Sequence, residues 1–387
     1  MAHKKTRSGK PRVGVAVSLP KAEDLADPGA IAAYEGVLTC GEQAVEALKS
    51  AGYEAFLVRV YRDIAQSIAE LREGNAQVVV NFVEELAGEA RGEADFAEAL
   101  EREGMPFTGS SGKTLLLTLD KGNSKRFLAQ RGVPVPRYVI STSGKSVRWP
   151  EAQLPAIVKP DREDGSVGVE IESVCYDLPS LRARVDHVAQ QFEQPAIVEE
   201  YIDGREIAAP MLEGAELPLS EIEFSGPATR ADGRPMPRIL TFRAKWVPGS
   251  DDDRASRPRC PAVLQPELES RIREISRRAF KACGVRDYGR VDFRVDREGR
   301  PFVLEVNANP DLSADAGFVR AARFAQFDLP KLYAHIVELA HARGAGRRAP
   351  VMEPASHLVR DGRVRPPARS GAGSAARRPQ PTVRRSR

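Results

Sequence analysis

The sequence predicts an α/β N-terminal unit built on a parallel sheet, then α+β units dominated by antiparallel strands, then a basic tail without a core. Three observations carry this reading. Strand and helix signals alternate over the first hundred residues. The segment Gly132-Val133-Pro134-Val135-Pro136 cannot continue a helix and marks a boundary, and strand signals dominate after it. At 387 residues the chain is long for one hydrophobic core, so two or three packed units are expected.

In order, Val13–Ser18 reads as a strand and Gly41–Ser50 as a helix with Ala44, Val45 and Leu48 on one face. Ala55–Val60 follows as a strand, Ile64–Leu71 as a helix and Val78–Phe82 as a third strand. Such alternation implies parallel strands joined by helical crossovers. Helices are expected at Glu93–Glu103, Gly112–Leu119 and Lys121–Arg131. Beyond the prolines, strands are expected at Ala156–Lys159, Val169–Ser173, Ala196–Tyr201, Arg205–Met211, Leu217–Glu223 and Ile239–Ala244. A helix at Pro266–Ala282, a hairpin at Tyr288–Asn307 and helices at Ala314–Phe324 and Leu329–His341 complete the pattern.

An apolar fraction of 42% with 29% charged residues is that of a soluble globular protein. The longest apolar runs, such as Val78–Val80, are strand-sized, which excludes a helical membrane span. Lys4, Lys5, Arg7 and Lys10 resemble the start of a signal peptide, but the apolar stretch behind them ends at Pro20 without a cleavage pattern. Cys40, Cys175, Cys260 and Cys283 form no metal or disulfide framework, so a cytoplasmic location is expected. From Gly344 onward eleven arginines face only Glu353 and Asp361, so the net charge of +4 belongs to the tail and the body is acidic. Such a tail is expected to be disordered; it either holds an anionic partner such as nucleic acid weakly by charge or is simply solvated.

The most informative segment is Tyr288–Asn307. Alternation buries Val291, Phe293 and Val295 and leaves Arg290 and Asp292 on the opposite face; the same period groups Glu305 with Asn307. If Asp296–Pro301 is loop, Asp292 lies opposite Glu305 and Arg290 opposite Asn307. A solvent-facing hairpin with ordinary charge pairing gives the same pattern. Two adjacent carboxylates repel, however, and call for a cation; oxygen ligands of this kind suit Mg²⁺, which also holds nucleotide phosphates. Lys159 ends a β-branched strand just before Asp161–Gly168, a loop of small residues whose amides can face phosphate oxygens. Val198–Glu206 brings acidic and apolar side chains together, as an adenosine site needs, although a charged hairpin looks the same.

Taken in order, these segments resemble the ATP-grasp superfamily, and within it the D-alanine–D-alanine ligase family. The matching words are Thr108-Gly109-Ser110-Ser111, Asp120-Lys121 with Ser124-Lys125, Val133-Pro134-Val135-Pro136, Val158-Lys159-Pro160, Ser166-Val167-Gly168, Val198-Glu199, Gly289-Arg290-Val291-Asp292 and Leu304-Glu305-Val306-Asn307. The resemblance implies a disordered basic start (1–12), an N-terminal α/β unit (13–119), a central ATP-grasp subdomain (120–202), a C-terminal subdomain with the metal site (203–343) and the tail (344–387). It implies that Lys121 and Lys159 contact ATP phosphates, that Glu199 and Ile202 frame the adenine, and that Glu206 meets the ribose. Lys245 would reach the terminal phosphate, and Arg290 would stabilise the tetrahedral intermediate. Ser166 belongs to the phosphate-side loop and is grouped with the catalytic residues. Asp292, Glu305 and Asn307 would hold Mg²⁺ or Mn²⁺. The implied activity is ATP-dependent carboxylate–amine ligation through an acyl phosphate, on small amino acids or peptides, in a family that often forms homodimers. The loop Gly249–Pro261 would close over the site.

The chain departs from the family pattern in the amino-acid half. The loop that usually carries two serines has Gly165-Ser166, and the position after Ala244-Lys245 is Trp246 rather than tyrosine. With Glu35, those side chains usually form a hydrogen-bonded triad, which glycine and an acceptor-free indole cannot reproduce. The stretch Asn309–Ala316 lacks the usual Ser-X-Ser, leaving Ala316 beside the substrate position. A ligase for a different amino acid, peptide or small-acid pair is therefore one rival reading; a non-catalytic nucleotide-binding or RNA-associated protein is another.

Overall fold

The structure, a computed structural model, describes residues 9–18, 28–61 and 63–346, and within helix 28–50 it describes side chains only from residue 36 onward. The expected disorder and anion binding of the tail fall mostly on residues 347–387, outside the described residues, as do basic residues 1–8. Residues 9–12, expected to be unstructured, are described: Lys10 donates to the Ala51 carbonyl and the Arg12 amide to Gln77.

The first sheet contains β1 (Val13–Ser18), whose six residues are all buried. Helix α1 (Pro28–Ser50) leads to β2 (Ala55–Val60), and α2 (Ile64–Glu73) leads to β3 (Val78–Phe82). The order is β2-β1-β3, all parallel, which explains the unbroken apolar run of a strand covered on both faces. Three helices follow: α3 (Gly92–Arg102), α4 (Gly112–Leu119) and α5 (Lys121–Ala129). The Asp120 carboxylate caps α5 by accepting from the Asn123 amide at 2.8 Å, which fixes Lys121 as its first residue.

The second sheet has the order β4-β7-β5-β6 and is antiparallel: β4 (Tyr138–Ser141), β5 (Ala156–Pro160), the two-residue β6 (Val174–Cys175) and β7 (Ala196–Glu200). Helix α6 (Leu178–Gln191) covers one face, packing Leu181, Val185 and Val188 against Ala156, Val158, Ala196 and Val198. The other face, carrying Ile157, Lys159 and Glu199, is left for the cleft.

The third sheet is also antiparallel and has the order β10-β9-β8-β11-β12. Its members are β8 (Arg205–Leu212), β9 (Ser220–Phe224), β10 (Ser256–Arg259), β11 (Tyr288–Val295) and β12 (Pro301–Asn307). Short helices α7 (Phe242–Trp246) and α8 (Asp251–Ala255) precede β10, α9 (Pro266–Cys283) precedes β11, and α10 (Gly317–Phe324) and α11 (Leu329–Gly344) close the chain. Val291, Phe293 and Val295 enter a core shared with Phe96, Leu100, Leu128 and Ile272, so the opposite face of β11 is free for polar chemistry. No helix among the described residues is long and apolar enough to cross a membrane.

Several expectations are corrected. Val169–Ser173 is not a strand: Gly168 has φ +70°, Ile171–Ser173 is a 3-10 turn, and Arg184 takes the Gly168 carbonyl at 2.9 Å. Ile239–Ala244 is not a strand because Thr241 caps α7, accepting from the Ala244 amide at 3.1 Å. The loop Gly249–Pro261 contains α8 and β10, and Pro301 belongs to β12 rather than to the hairpin loop.

Asp287, just before β11, joins distant parts of the fold. Its buried carboxylate accepts from the Gly109 amide at 2.8 Å and from Arg343 on α11, and Arg343 also donates to the Phe107 carbonyl at 2.6 Å. Arg343→Ala would leave that charge buried and short of a cation, so urea denaturation should show a loss on the order of 3 kcal/mol. An unchanged midpoint would show that the pair carries no stability.

Candidate active site

The cleft is built between the polar faces of the two antiparallel sheets. On β11 and β12 the register pairs Arg290 with Asn307, Val291 with Val306 and Asp292 with Glu305; it then shifts, so that Phe293 pairs with Val303 and Leu304 is the extra residue of a β-bulge. Pro301 and Val303 face the core. Strict alternation would send Glu305 and Asn307 after them; the bulge turns both to the polar face instead. The expected pairing therefore holds through a different route, a tighter loop plus a bulge.

Arg290 makes a bidentate pair with Asp292 at 2.7 and 2.8 Å. Lys121 lies 3.1 Å from Asp164 and 3.7 Å from Glu305, and also donates to the Glu163 carbonyl. Burial would raise the Glu305 carboxyl, but Lys121, Lys159 and Arg290 hold it down to about 2. Asp164 and Glu305 overcome burial at Lys121 and keep its ammonium charged.

On the facing sheet Glu199 is 1% exposed and lies 2.7 Å from both Lys125 and Lys159. Burial opposes its ionisation, yet the two ammonium groups keep its carboxyl below the ordinary glutamate value. Lys125, quoted among the matching words but given no role in the sequence reading, completes this cluster. It stands one helical turn after Lys121, on the same face of α5, and donates to the carbonyl of the bulged Leu304. The i, i+4 spacing of the two lysines was the available signal. Ile202 is buried, with its carbonyl accepting from Arg294 Nε at 3.0 Å, and Glu206 takes Arg294 Nη1 at 3.2 Å.

The loop after β5 turns through left-handed conformations at Gly165 (φ +63°) and Ser166 (φ +64°). Trp246 donates its indole N–H to the Gly165 carbonyl at 2.7 Å, and a Cβ at Gly165 would stand 3.3 Å from the indole ring. The Phe242 amide donates to the Val169 carbonyl at 2.9 Å, so α7 is tied to this loop twice. Lys245 is exposed on α7, 5.4 Å from the Trp246 ring centre. Asn307 Oδ1 accepts from the Asn309 amide at 3.1 Å, and Ala316 is buried at the start of α10. Glu35 lies on α1, with its side chain outside the described residues.

Asp292, Glu305 and Asn307 form a hard-oxygen set with only two carboxylates, and no group of three His, Cys, Asp or Glu side chains suited to a metal occurs among the described residues. Such a set fits a small divalent cation that completes its shell from water and phosphate oxygens.

Trp246→Phe keeps the ring but removes a hydrogen bond worth about 1 kcal/mol. Tryptic cleavage within residues 241–255 should accelerate severalfold; an unchanged rate would show that the bond does not hold α7 down. Glu93, half-buried, is pushed up to about 8, chiefly by desolvation, with Asp164 and Glu84 adding to the effect. The folded chain then keeps a proton that the unfolded chain loses, and stability falls as pH rises from 4.5 through about 8. Denaturation midpoints of Glu93→Gln and the unmodified protein should coincide near pH 4.5, with the variant more stable at about pH 8. Parallel profiles at every pH would remove Glu93 from the acid–base behaviour.

The family model described as D-ala D-ala ligase C-terminus matches residues 127–338. An uncharacterised protein of Sinorhizobium fredii is 33% identical over 79% of this chain and 88% of its own length. A D-alanine–D-alanine ligase of Desulforudis audaxviator is 32% identical over 81% of this chain and 97% of its own length. The crystal structure of a D-alanine–D-alanine ligase from Bacillus anthracis complexed with ATP superposes with a TM-score of 0.67 at 21% identity, covering 87% of this chain and 99% of that one.

Proposed function

This chain belongs to the D-alanine–D-alanine ligase family of the ATP-grasp superfamily, and from that premise we propose an ATP-dependent carboxylate–amine ligase whose nucleotide lies between the two antiparallel sheets. The observation that carries the reading is the approach of Lys121, at the start of α5, to Glu305 on β12 at 3.7 Å. It brings the phosphate-side cations and the acidic hairpin to one point.

Lys121 and Lys159 bind the phosphates as point charges, and the left-handed turn at Gly165-Ser166 presents backbone amides to them. Asp292, Glu305 and Asn307 would hold Mg²⁺ or Mn²⁺, which when bound neutralises phosphate oxygens. The γ-phosphoryl group passes to a substrate carboxylate, giving an acyl phosphate and ADP; an amine attacks its carbonyl carbon, and phosphate leaves as the amide forms. Arg290, oriented by its two bonds to Asp292, stabilises the oxyanion of the tetrahedral intermediate. Lys245 approaches the terminal phosphate when α7 covers the cleft, and that cover excludes water that would hydrolyse the acyl phosphate. Dependence on ATP and four free cysteines suit a cytoplasmic enzyme.

A second reading concerns the substrates. The Trp246–Gly165 bond puts an indole where the family carries a serine and tyrosine pair, which favours a donor and acceptor other than two D-alanines. Phosphate release across a panel of D- and L-amino acids and dipeptides, with mass detection of products, identifies the pair. With the active pair, Asp292→Asn and Glu305→Gln should each lower turnover by about 10²–10³-fold in folded protein. Full turnover in both variants would sink the assignment of the hairpin.

A further inference from the structure

We propose that Lys125 is a positioning residue for the nucleotide: it is the standing counter-ion of Glu199, and by neutralising that carboxylate it frees the Lys159 ammonium to serve the phosphates. The inference rests on the reading of the cleft as an ATP site. Glu199 on β7 and Lys159 on β5 stand two positions apart in the register, so both side chains emerge on the cleft face of the second sheet. Lys125 approaches the same carboxylate from α5. Each lysine lies 2.7 Å from a different oxygen of Glu199, Lys125 from Oε1 and Lys159 from Oε2.

The three side chains differ in what can reach them. That of Lys125 is 2% exposed and that of Glu199 1%, while that of Lys159 is 11% exposed. A ligand entering the cleft therefore meets Lys159 and not Lys125. Lys125 is also fixed by a second tie, since it donates to the Leu304 carbonyl. Both oxygens of Glu199 are buried, and apart from the two lysines no donor among the described residues reaches them. Desolvation lowers the Lys125 ammonium from the ordinary lysine value, so a cation in that place depends on the carboxylate beside it.

Two cations share one anion, and one of them suffices to balance it. The inner lysine is held in place and the outer one faces the ligand, so the spare charge is that of Lys159. Its field already reaches the phosphate side of the cleft, where with Lys121 it opposes burial and holds the Glu305 carboxyl down to about 2. Without Lys125 the buried carboxylate would have Lys159 alone, and an ion pair shielded from water holds its ammonium back from a ligand. Lys125 touches no ligand; it acts through Glu199 on Lys159.

The test is equilibrium binding of a non-hydrolysable ATP analogue with Mg²⁺, by titration calorimetry on the full chain, in a double-mutant cycle. Lys125→Met should weaken binding about tenfold. In protein that already carries Glu199→Gln there is no carboxylate to neutralise, and adding Lys125→Met should change the affinity by less than about twofold. A direct pull of Lys125 on the phosphates, or an effect through the Leu304 carbonyl, would weaken binding equally in both backgrounds, and that result overturns the proposal. So does a folded Lys125→Met protein with full affinity. Where Lys125→Met alone does not fold, Lys125→Gln, which removes the charge and keeps a donor for Leu304, replaces it. Adenosine gives a second readout that a merely structural role would not spare: lacking phosphates, it should bind Lys125→Met as well as it binds the unmodified protein. Equal losses for adenosine and the analogue overturn the proposal too. Failure of the unmodified protein to bind the analogue overturns the reading of the cleft itself.

Discussion

Between Val303 and Glu305, β12 carries one residue more than β11 can match, and the direction of Glu305 and Asn307 follows from that surplus. Without it, Glu305 and Asn307 would point into the apolar core, an arrangement that costs several kcal/mol for an unpaired carboxylate. With it, they join Arg290, Asp292 and Arg294 on one surface. A bulge also interrupts the ladder, and here Lys125 takes the Leu304 carbonyl. The same ammonium pairs with Glu199 on the facing sheet. One lysine thus serves the backbone irregularity of one sheet and the buried carboxylate of the other.

Burying so many ions is expensive, and stability alone does not explain the arrangement. Replacing buried ion pairs by apolar residues is often neutral or stabilising. The charges are instead distributed so that each carboxylate has a cation already in place: Arg290 for Asp292, Lys121 for Glu305, and Lys125 with Lys159 for Glu199. A highly charged ligand entering such a cleft meets oriented groups, and the reorganisation that water would require has been met in folding. Selection for chemistry accounts for this pattern better than selection for rigidity.

The hairpin that carries the site was legible because alternation over Tyr288–Val295 is strict and its apolar members enter the core. The bulge was not, since Leu304 looks like any other strand residue and the partner of its carbonyl, Lys125, is far away in sequence. Helix α6 was missed although Leu178, Leu181, Val185 and Val188 have helical spacing, because the flanking β-rich segments dominated the pattern. The segments at 169–173 and 239–244 were misassigned for a common reason. Their β-branched residues favour strands, but a side chain at each, Arg184 and Thr241, satisfies the backbone in another conformation. Local composition does not reveal such partners.

The two halves of the cleft differ in how closely their chemistry follows the family. Phosphates and a divalent cation impose fixed charge and hard-oxygen geometry, which leaves little freedom for the residues that meet them. An amino-acid pocket can change more freely, provided the chain that covers it stays anchored. Here the anchor is an indole N–H on a backbone carbonyl, which needs no side chain at position 165, and the ring approaches closely enough that glycine is the residue that fits. Gly165 and Trp246 are thus matched to each other in this chain. A bulky, largely apolar side chain stands at position 246, and its only bond to the loop after β5 is made to backbone.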